Sequence, residues 1–243
     1  MSEYLVHIIP GSPFSRAVLA TLEEKHAAYR LSAVVPGTLR SPQHLSRHPF
    51  GRVPVLEHHE FRLYETQAIL RYLDRVLPEP PLTPSDPRHA ARMDQAMNIN
   101  DWYLFPGAGA VIGFQRIVGP RLMGLTPDES AIVAALPKAR TVFEELAQLL
   151  GAHPYFGGER VTLADLMLAP QLDFLQQTPE WDALSSQHGN LRQWLARMQS
   201  RPSLIATTWE KVAARVSAAD PAVGAPSRVS SARGGRGRSD VRR

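Results

Sequence analysis

Apolar and polar positions change their spacing near residue 80. Upstream, short apolar runs alternate with helical periodicity: "EYLVHII" (3–9) reads as a strand, and "SRAVLATLEEKHA" (15–27) carries apolar residues at Val18, Leu19 and Leu22, the spacing of one helix face. "YRLSAVV" (29–35) predicts a second strand. "VPVL" and "FRLY" predict a hairpin around His58-His59-Glu60, and "TQAILRYLDRVL" a helix after it. The order β-α-β-(α)-β-β-α describes a small mixed sheet rather than a repeated βαβ winding. "PEPPLTPSDP" (78–87) has five prolines in ten residues, too many for the interior of a helix or strand, and reads as a stiff connection.

Downstream the pattern is helical throughout. Residues 88–118 read as one long stretch with Pro106 as its point of bending. "TPDESAIVAALPKARTVFEELAQLL" predicts a helix with Thr126 as N-cap, Pro127 at the first helical position and Glu129 completing a capping box. "RVTLADLMLAPQLDFL" repeats that grammar with Thr162 as cap, Asp165 three residues on, and Val161 stapled to Leu166. Asn190 and Pro202 head two further helices before the pattern fades near residue 216.

Composition narrows the chemistry. A chain of 243 residues can bury a substantial core, and the change of pattern suggests two domains. No apolar run reaches the roughly 18 residues of a membrane span, and "MSEYLVHIIPGSPF" has neither a basic leader nor a long apolar segment, so the expectation is a soluble cytoplasmic protein without a membrane partner. With no cysteine, disulfides, thiolate metal ligation and a catalytic thiol are excluded, and any sulfur chemistry must arrive with a ligand. The net charge of +4 is local: "SRVSSARGGRGRSDVRR" (227–243) holds six arginines against one aspartate, which leaves −1 on the rest. This Ser/Gly/Arg-rich tail reads as disordered, either as a solvated terminus or as a weak binder of RNA, DNA or another polyanion.

Three places carry local oddities. In "PGSPFSRAVL", Pro13 suits the first helical position, which makes Ser12 the N-cap; its oxygen would accept from a backbone N–H while its own proton points outward, at the positive end of a helix. Such a serine either simply caps or also holds an anion, for example an incoming thiolate. Ser15, inside the first turn, is a weaker candidate. A strand opened by Val53-Pro54 belongs on an edge or in a cis bond, so that the N–H and C=O of Val53 stay free to pair with an extended peptide. Glu65-Thr66 heads the next helix, where the hydroxyl and exposed N–H groups suit a carboxylate and Glu65 an ammonium group; a plain capped helix is the alternative. "GAGAVIG" (107–113) has the wrong glycine spacing for a dinucleotide loop and no preceding strand. His58-His59 in the hairpin turn lacks sequence neighbours that would complete a metal site, and no metal is expected.

Ser12, Val53-Pro54 and Glu65-Thr66, in this order on this pattern and followed by a proline-rich connection into a helical half, resemble the soluble glutathione transferases over residues 3 to about 215. "SPQHLSRHPFGRVPVLEHHEFRLYETQAILRYLDR" is similar to that family's glutathione-site stretch, "SPFSRAVLATLEEK" to the first helix of its serine-type members, most closely the phi and tau classes, and "RVTLADLMLAP" to the capping box of its second domain.

The resemblance implies an α/β thioredoxin-like N-terminal domain (1–78), a linker (79–88), an all-α C-terminal domain (89–215) and the Arg-rich tail (216–243). It implies glutathione as co-substrate and a homodimer. Ser12 would face the sulfur, the Val53 backbone beside Pro54 would pair with the cysteine, and Glu65 and Thr66 would meet the γ-glutamyl head. Thr66 replaces the family's usual serine. Where phi-like relatives carry a histidine and a lysine toward the glycine carboxylate, this chain has Leu39 and Arg40, which leaves Arg40 for that contact. The apolar electrophile would lie among Phe14, Trp102, Tyr103, Phe105 and Phe114. A protein that keeps the fold or the tripeptide site without turnover, and a dimeric platform for a polyanion-binding tail, are the alternatives.

Overall fold

The computed structural model describes residues 3–219; the expectation for the tail lies outside the described residues. Four strands form one mixed sheet in the order β2-β1-β3-β4: β1 Tyr4–Ile8, β2 Tyr29–Ala33, β3 Val55–His58 and β4 Phe61–Tyr64. β1 runs parallel to β2 and antiparallel to β3, and β3–β4 is a hairpin. The central position of β1 explains its composition, since Tyr4, Val6 and Ile8 are all buried and even its one polar side chain, His7, is enclosed against Glu57 at 3.2 Å.

Helices α1 (Pro13–Glu24) and α3 (Thr66–Val76) pack on the sheet, burying Val18, Leu19 and Leu22 from one and Ile69, Leu70 and Leu73 from the other. Between β2 and β3 lie a 3₁₀ turn, Pro36–Thr38, and a single short helix, α2 (Pro42–Leu45). β2 stops at Ala33, two residues earlier than the apolar run suggests. The proline-rich stretch is pinned rather than loose. Asp74 accepts from the Leu82 N–H (3.0 Å), the Thr83 hydroxyl (2.6 Å) and the buried Lys25 ammonium (2.6 Å), which also donates to Pro80 O.

Beyond it come α4 (Pro87–Ile99), a wide-turned segment (Asn100–Val118), α5 (Gly119–Met123), α6 (Glu129–Leu150), α7 (Leu163–Leu175), α8 (Trp181–Ser185), α9 (Gly189–Gln199), α10 (Pro202–Ala206) and α11 (Trp209–Ala219). The stretch 88–118 is continuous, but from Asn100 its winding opens to π-type turns around Pro106 instead of bending sharply there. α7 is buried on nearly every side and packs against α1, which makes it the post between the sheet and the helices.

Three expected helix signals resolve differently. The N-cap of α6 is Asp128, not Thr126: its carboxylate accepts from Ser130 N and Ala131 N, both at 3.0 Å, while Glu129 is drawn away to Arg116 and completes no capping box. Asn190 lies inside the first turn of α9, and its amide donates to Ala147 O and Gly151 O, closing the carboxyl end of α6. α11 continues past residue 216 to Ala219. Thr162 and Asp165 do form a capping box, and Asp165, fully buried, also accepts from Phe156 N and Trp194 Nε1. Burial pushes the Asp165 carboxyl up, against the pull of these donors. Among the described residues no helix is long and apolar enough to cross a membrane.

Candidate functional site

Register brings the three oddities of the sequence to one end of the sheet. His7 near the end of β1 lies opposite Val55 at the start of β3, and Val55 lies opposite Tyr64 at the end of β4. The chain leaving β1 toward Ser12, the chain entering β3 through Val53-Pro54 and the chain leaving β4 into Glu65-Thr66 therefore share that end.

Ser12 is the N-cap of α1, with Pro13 next. Its Oγ accepts from the Ser15 N–H at 3.2 Å, and among the described residues its own proton has no acceptor, so it is free to donate outward. Ser15 differs: its hydroxyl is buried and without a hydrogen-bond partner. Gly11, at φ +87°, makes the turn, and a Cβ on it would stand 2.4 Å from the indole of Trp209. Trp209 begins α11 and lies over the backbone beside Ser12, with the Arg121 guanidinium 3.8 Å from its ring centroid. Ser12, Arg16, Asp173, Phe174, Thr208 and Trp209 line a cleft of about 290 Å³ between α1, α7 and the C-terminal helices. Arg16 is tied to Asp173 and donates to Leu204 O at 3.1 Å, and Gln199 donates to Asp173 at 2.5 Å.

The second depression at this end is charged. Arg40, Pro49, Phe50, Arg52 and Glu65 surround about 460 Å³. The Val53-Pro54 bond is cis, the ladder of β3 begins only at Val55, and none of the turn, loop or cap hydrogen bonds uses the N–H or C=O of Val53. At Gly51, φ +62°, an added Cβ would stand 2.7 Å from Leu39 O and 3.3 Å from the Arg40 side chain, so the absence of a side chain lets the two segments approach and keeps Arg40 beside the depression. Glu65 sits at φ +70°, ψ +115°, a region that costs a non-glycine residue roughly 1–3 kcal/mol and that recurs at ligand sites. Thr66 follows as the buried first residue of α3. Behind Glu65, Gln67 donates to Asp101 at 2.8 Å; burial raises the Asp101 carboxyl, the amide opposes this, and the nearby Glu65 charge adds to the rise.

Of the expected residues Arg40 and Glu65 line this depression, Val53-Pro54 and Thr66 adjoin its Arg52 and Glu65 in the chain, and Ser12 lines the other cleft. Of the five aromatic residues only two come together. Phe14 and Phe105 meet edge to face at 4.7 Å between centroids, but Trp102 and Tyr103 point to solvent, 71 % and 62 % exposed, and Phe114 is half-buried elsewhere along the wide-turned segment. None of the five lines the Ser12 cleft, whose apolar walls include Leu19, Pro170, Phe174, Trp209 and Val212. The π-type winding turns successive residues of "NDWYLF" differently from an α-helix, so Trp102 and Tyr103 face solvent while Phe105 meets Phe14. Sequence reasoning also missed Trp209, which reaches Ser12 from the far end of the chain and leaves no local signal. It missed Arg52 too, although Arg52 immediately precedes Val53-Pro54.

Residues 2–75 match the family described as "Glutathione S-transferase, N-terminal domain", and residues 115–197 match "Glutathione S-transferase, C-terminal domain". Glutathione S-transferase F14 of Arabidopsis thaliana is 32 % identical over 198 residues, covering 79 % of this chain and 77 % of that protein. Glutathione transferase F2 of Populus trichocarpa superimposes with a TM-score of 0.76 at 26 % identity over 86 % of this chain and 99 % of that one. A theta class glutathione S-transferase of Xanthomonas axonopodis pv. citri, solved with glutathione bound, gives 0.75 at 25 % identity over 86 % and 98 %.

Proposed function

The chain belongs to the glutathione S-transferase family and is an enzyme of that kind, and from this premise we propose that it holds glutathione across the charged depression and directs its thiolate from Ser12 toward small apolar electrophiles. One observation carries the reading: a hydroxyl proton without an acceptor, an unpaired Val53 backbone and a Glu65 held at positive φ all converge on one end of the sheet.

A γ-Glu-Cys-Gly peptide has a partner for each part here. The cysteine backbone pairs with the N–H and C=O of Val53 as a short added strand. The γ-glutamyl ammonium meets Glu65, its carboxylate meets the helix start at Thr66, and the glycine carboxylate meets Arg40, with Arg52 as a second cation. The sulfur then faces Ser12. A thiol with a pKa near ~8.5 needs a depression of about two units, worth about 2.7 kcal/mol, to be mostly thiolate at neutral pH. A hydroxyl hydrogen bond to an anion (~1.5–3 kcal/mol) and the α1 N-terminus (~0.3–1 kcal/mol) together supply that. Ser12 stabilises the nucleophile and is not itself the nucleophile. The Phe14–Phe105 pair and the Trp209 wall of the Ser12 cleft are the apolar surfaces for the electrophile.

The sheet half up to residue 78 is the glutathione domain in this reading, joined through 79–88 to a helical domain over 89–215. Two copies pair in the cytoplasm, covering part of the apolar surface that Trp102, Tyr103 and Val133 expose. The test is the thiolate absorbance of the enzyme–glutathione complex against pH. Its inflection should rise in Ser12→Ala, with turnover down about ten- to a hundredfold, or 1.4–2.7 kcal/mol in the barrier. Ser15→Ala should leave it in place; a shift there instead transfers the role to Ser15, and no shift in either variant refutes activation by a hydroxyl.

A further inference from the structure

The opposite end of the sheet holds a cluster that glutathione chemistry does not use. The antiparallel register pairs Tyr4 with His58, which sets Glu3, one residue before β1, beside the turn that follows β3. Glu3 Oε1 lies 2.8 Å from His58 Nε2 and 2.8 Å from His59 Nε2, and the three atoms are all within 4.8 Å of one another. The two imidazoles stack at 4.8 Å between centroids. His58 Nδ1 is 2.6 Å from the Tyr72 hydroxyl on α3. The partners that the hairpin lacks in sequence come from the other end of the domain.

We propose that Glu3, His58 and His59 form a surface site for a borderline divalent transition-metal ion of the zinc type, the imidazoles ligating through Nε2 and the carboxylate through Oε1. Two nitrogens and one oxygen suit zinc, cobalt, nickel or copper, whereas calcium and magnesium require mostly oxygen. Ligand atoms bound tetrahedrally to zinc at 2.0–2.2 Å stand about 3.4 Å apart. Opening the two 2.8 Å contacts by about 0.6 Å is within reach of Glu3 and His59, both exposed.

Without the ion each neutral ring donates its Nε2–H to the carboxylate, and the Tyr72 O–H donates to His58 Nδ1. With it, the metal takes Nε2 and the proton of each ring moves to Nδ1, where His58 donates it to the Tyr72 oxygen. No proton is lost, and Tyr72 fixes the ring as an outer partner of the metal. His59 sits at φ +54° in a two-residue turn where glycine or asparagine costs less, and this conformation swings its ring onto that of His58.

The bound ion would clip the start of β1 to the β3–β4 turn. The length of β1, about 16 Å for its five residues, separates it from the Ser12 end, so it would raise stability and leave conjugation unchanged.

The full chain, stripped of metal and free of glutathione, is titrated with Co²⁺ followed by its d–d absorption, then displaced with Zn²⁺, with calorimetry and thermal melts in parallel. The expected result is one saturable ion per chain, a thermal midpoint raised by Zn²⁺ and not by Mg²⁺, and unchanged conjugation. His59→Asn, which tolerates the positive φ, and Glu3→Gln should each weaken Zn²⁺ at least about tenfold and abolish the thermal shift, and Tyr72→Phe should weaken it about 10–100-fold. Saturable binding that survives both ligand substitutions assigns the ion to other histidines and overturns the proposal, as does the absence of saturable binding.

Discussion

Replacing Gly11 with alanine tests whether the C-terminal helix is what shapes the ground around Ser12. Two costs follow from the structure. The backbone at φ +87° disfavours any Cβ by roughly 1–2 kcal/mol. The added methyl would stand 2.4–2.6 Å from three carbons of the Trp209 ring, which is too rigid to fold away, so the indole must shift by about an ångström; overpacking of that kind costs about 1–3 kcal/mol. The sum, about 2–5 kcal/mol, corresponds to a fall in Tm of several to about 15 °C for a chain of this size. A thermodynamic cycle separates the two terms. In a Trp209→Ala background only the backbone term remains, so Gly11→Ala should then cost about 1–2 kcal/mol, and the coupling energy between the sites should be about 1–3 kcal/mol. Urea unfolding of all four proteins at one fixed chain concentration measures it. Equal costs in the two backgrounds would refute the claim that Trp209 is packed on Gly11. In the wild-type background, conjugation should fall with stability, because a displaced indole moves the wall of the Ser12 cleft.

Glu65→Ala should weaken glutathione binding by roughly 1–3 kcal/mol in calorimetry with the fold intact, and unchanged affinity would move the γ-glutamyl head elsewhere. Burial alone would raise the Glu24 carboxyl, but hydrogen bonds from Arg201 (2.8 and 2.7 Å) and Ser203 (2.5 Å) outweigh it and hold the carboxyl below its ordinary value. Its contribution to joining α1 to the α9–α10 connection is therefore whole above the unfolded value near ~4.3 and lost as pH falls through the folded one, and Glu24→Gln should flatten that part of the acid-unfolding curve. Light scattering at micromolar concentration should give twice the mass of the 26.9 kDa chain, and a monomer mass would count against pairing.

Features closed within one turn of chain were legible without the fold. Ser12 caps α1 because Pro13 follows it and the Ser15 N–H is three residues away, and Thr162 and Asp165 close their box over the same span. The mixed sheet followed by helices was equally readable, since short apolar runs alternating with helical periodicity give way to helical periodicity alone at the proline-rich stretch. What depended on competition between distant partners was not. Asp128 rather than Thr126 caps α6 because Arg116, held also by Glu180, takes Glu129 away from any capping role. Trp209 stands over Gly11 because α11 folds back beside β2, and no residue near either predicts the other. Glu3 meets His58 and His59 only because β1 and β3 pair in the register that sets Tyr4 opposite His58 and so brings Glu3 to the turn after β3. Local hydrogen bonds compete with few alternatives and so can be read from spacing. Contacts across the sheet and between its two halves are chosen by how whole elements pack, and that choice is made only when the core closes.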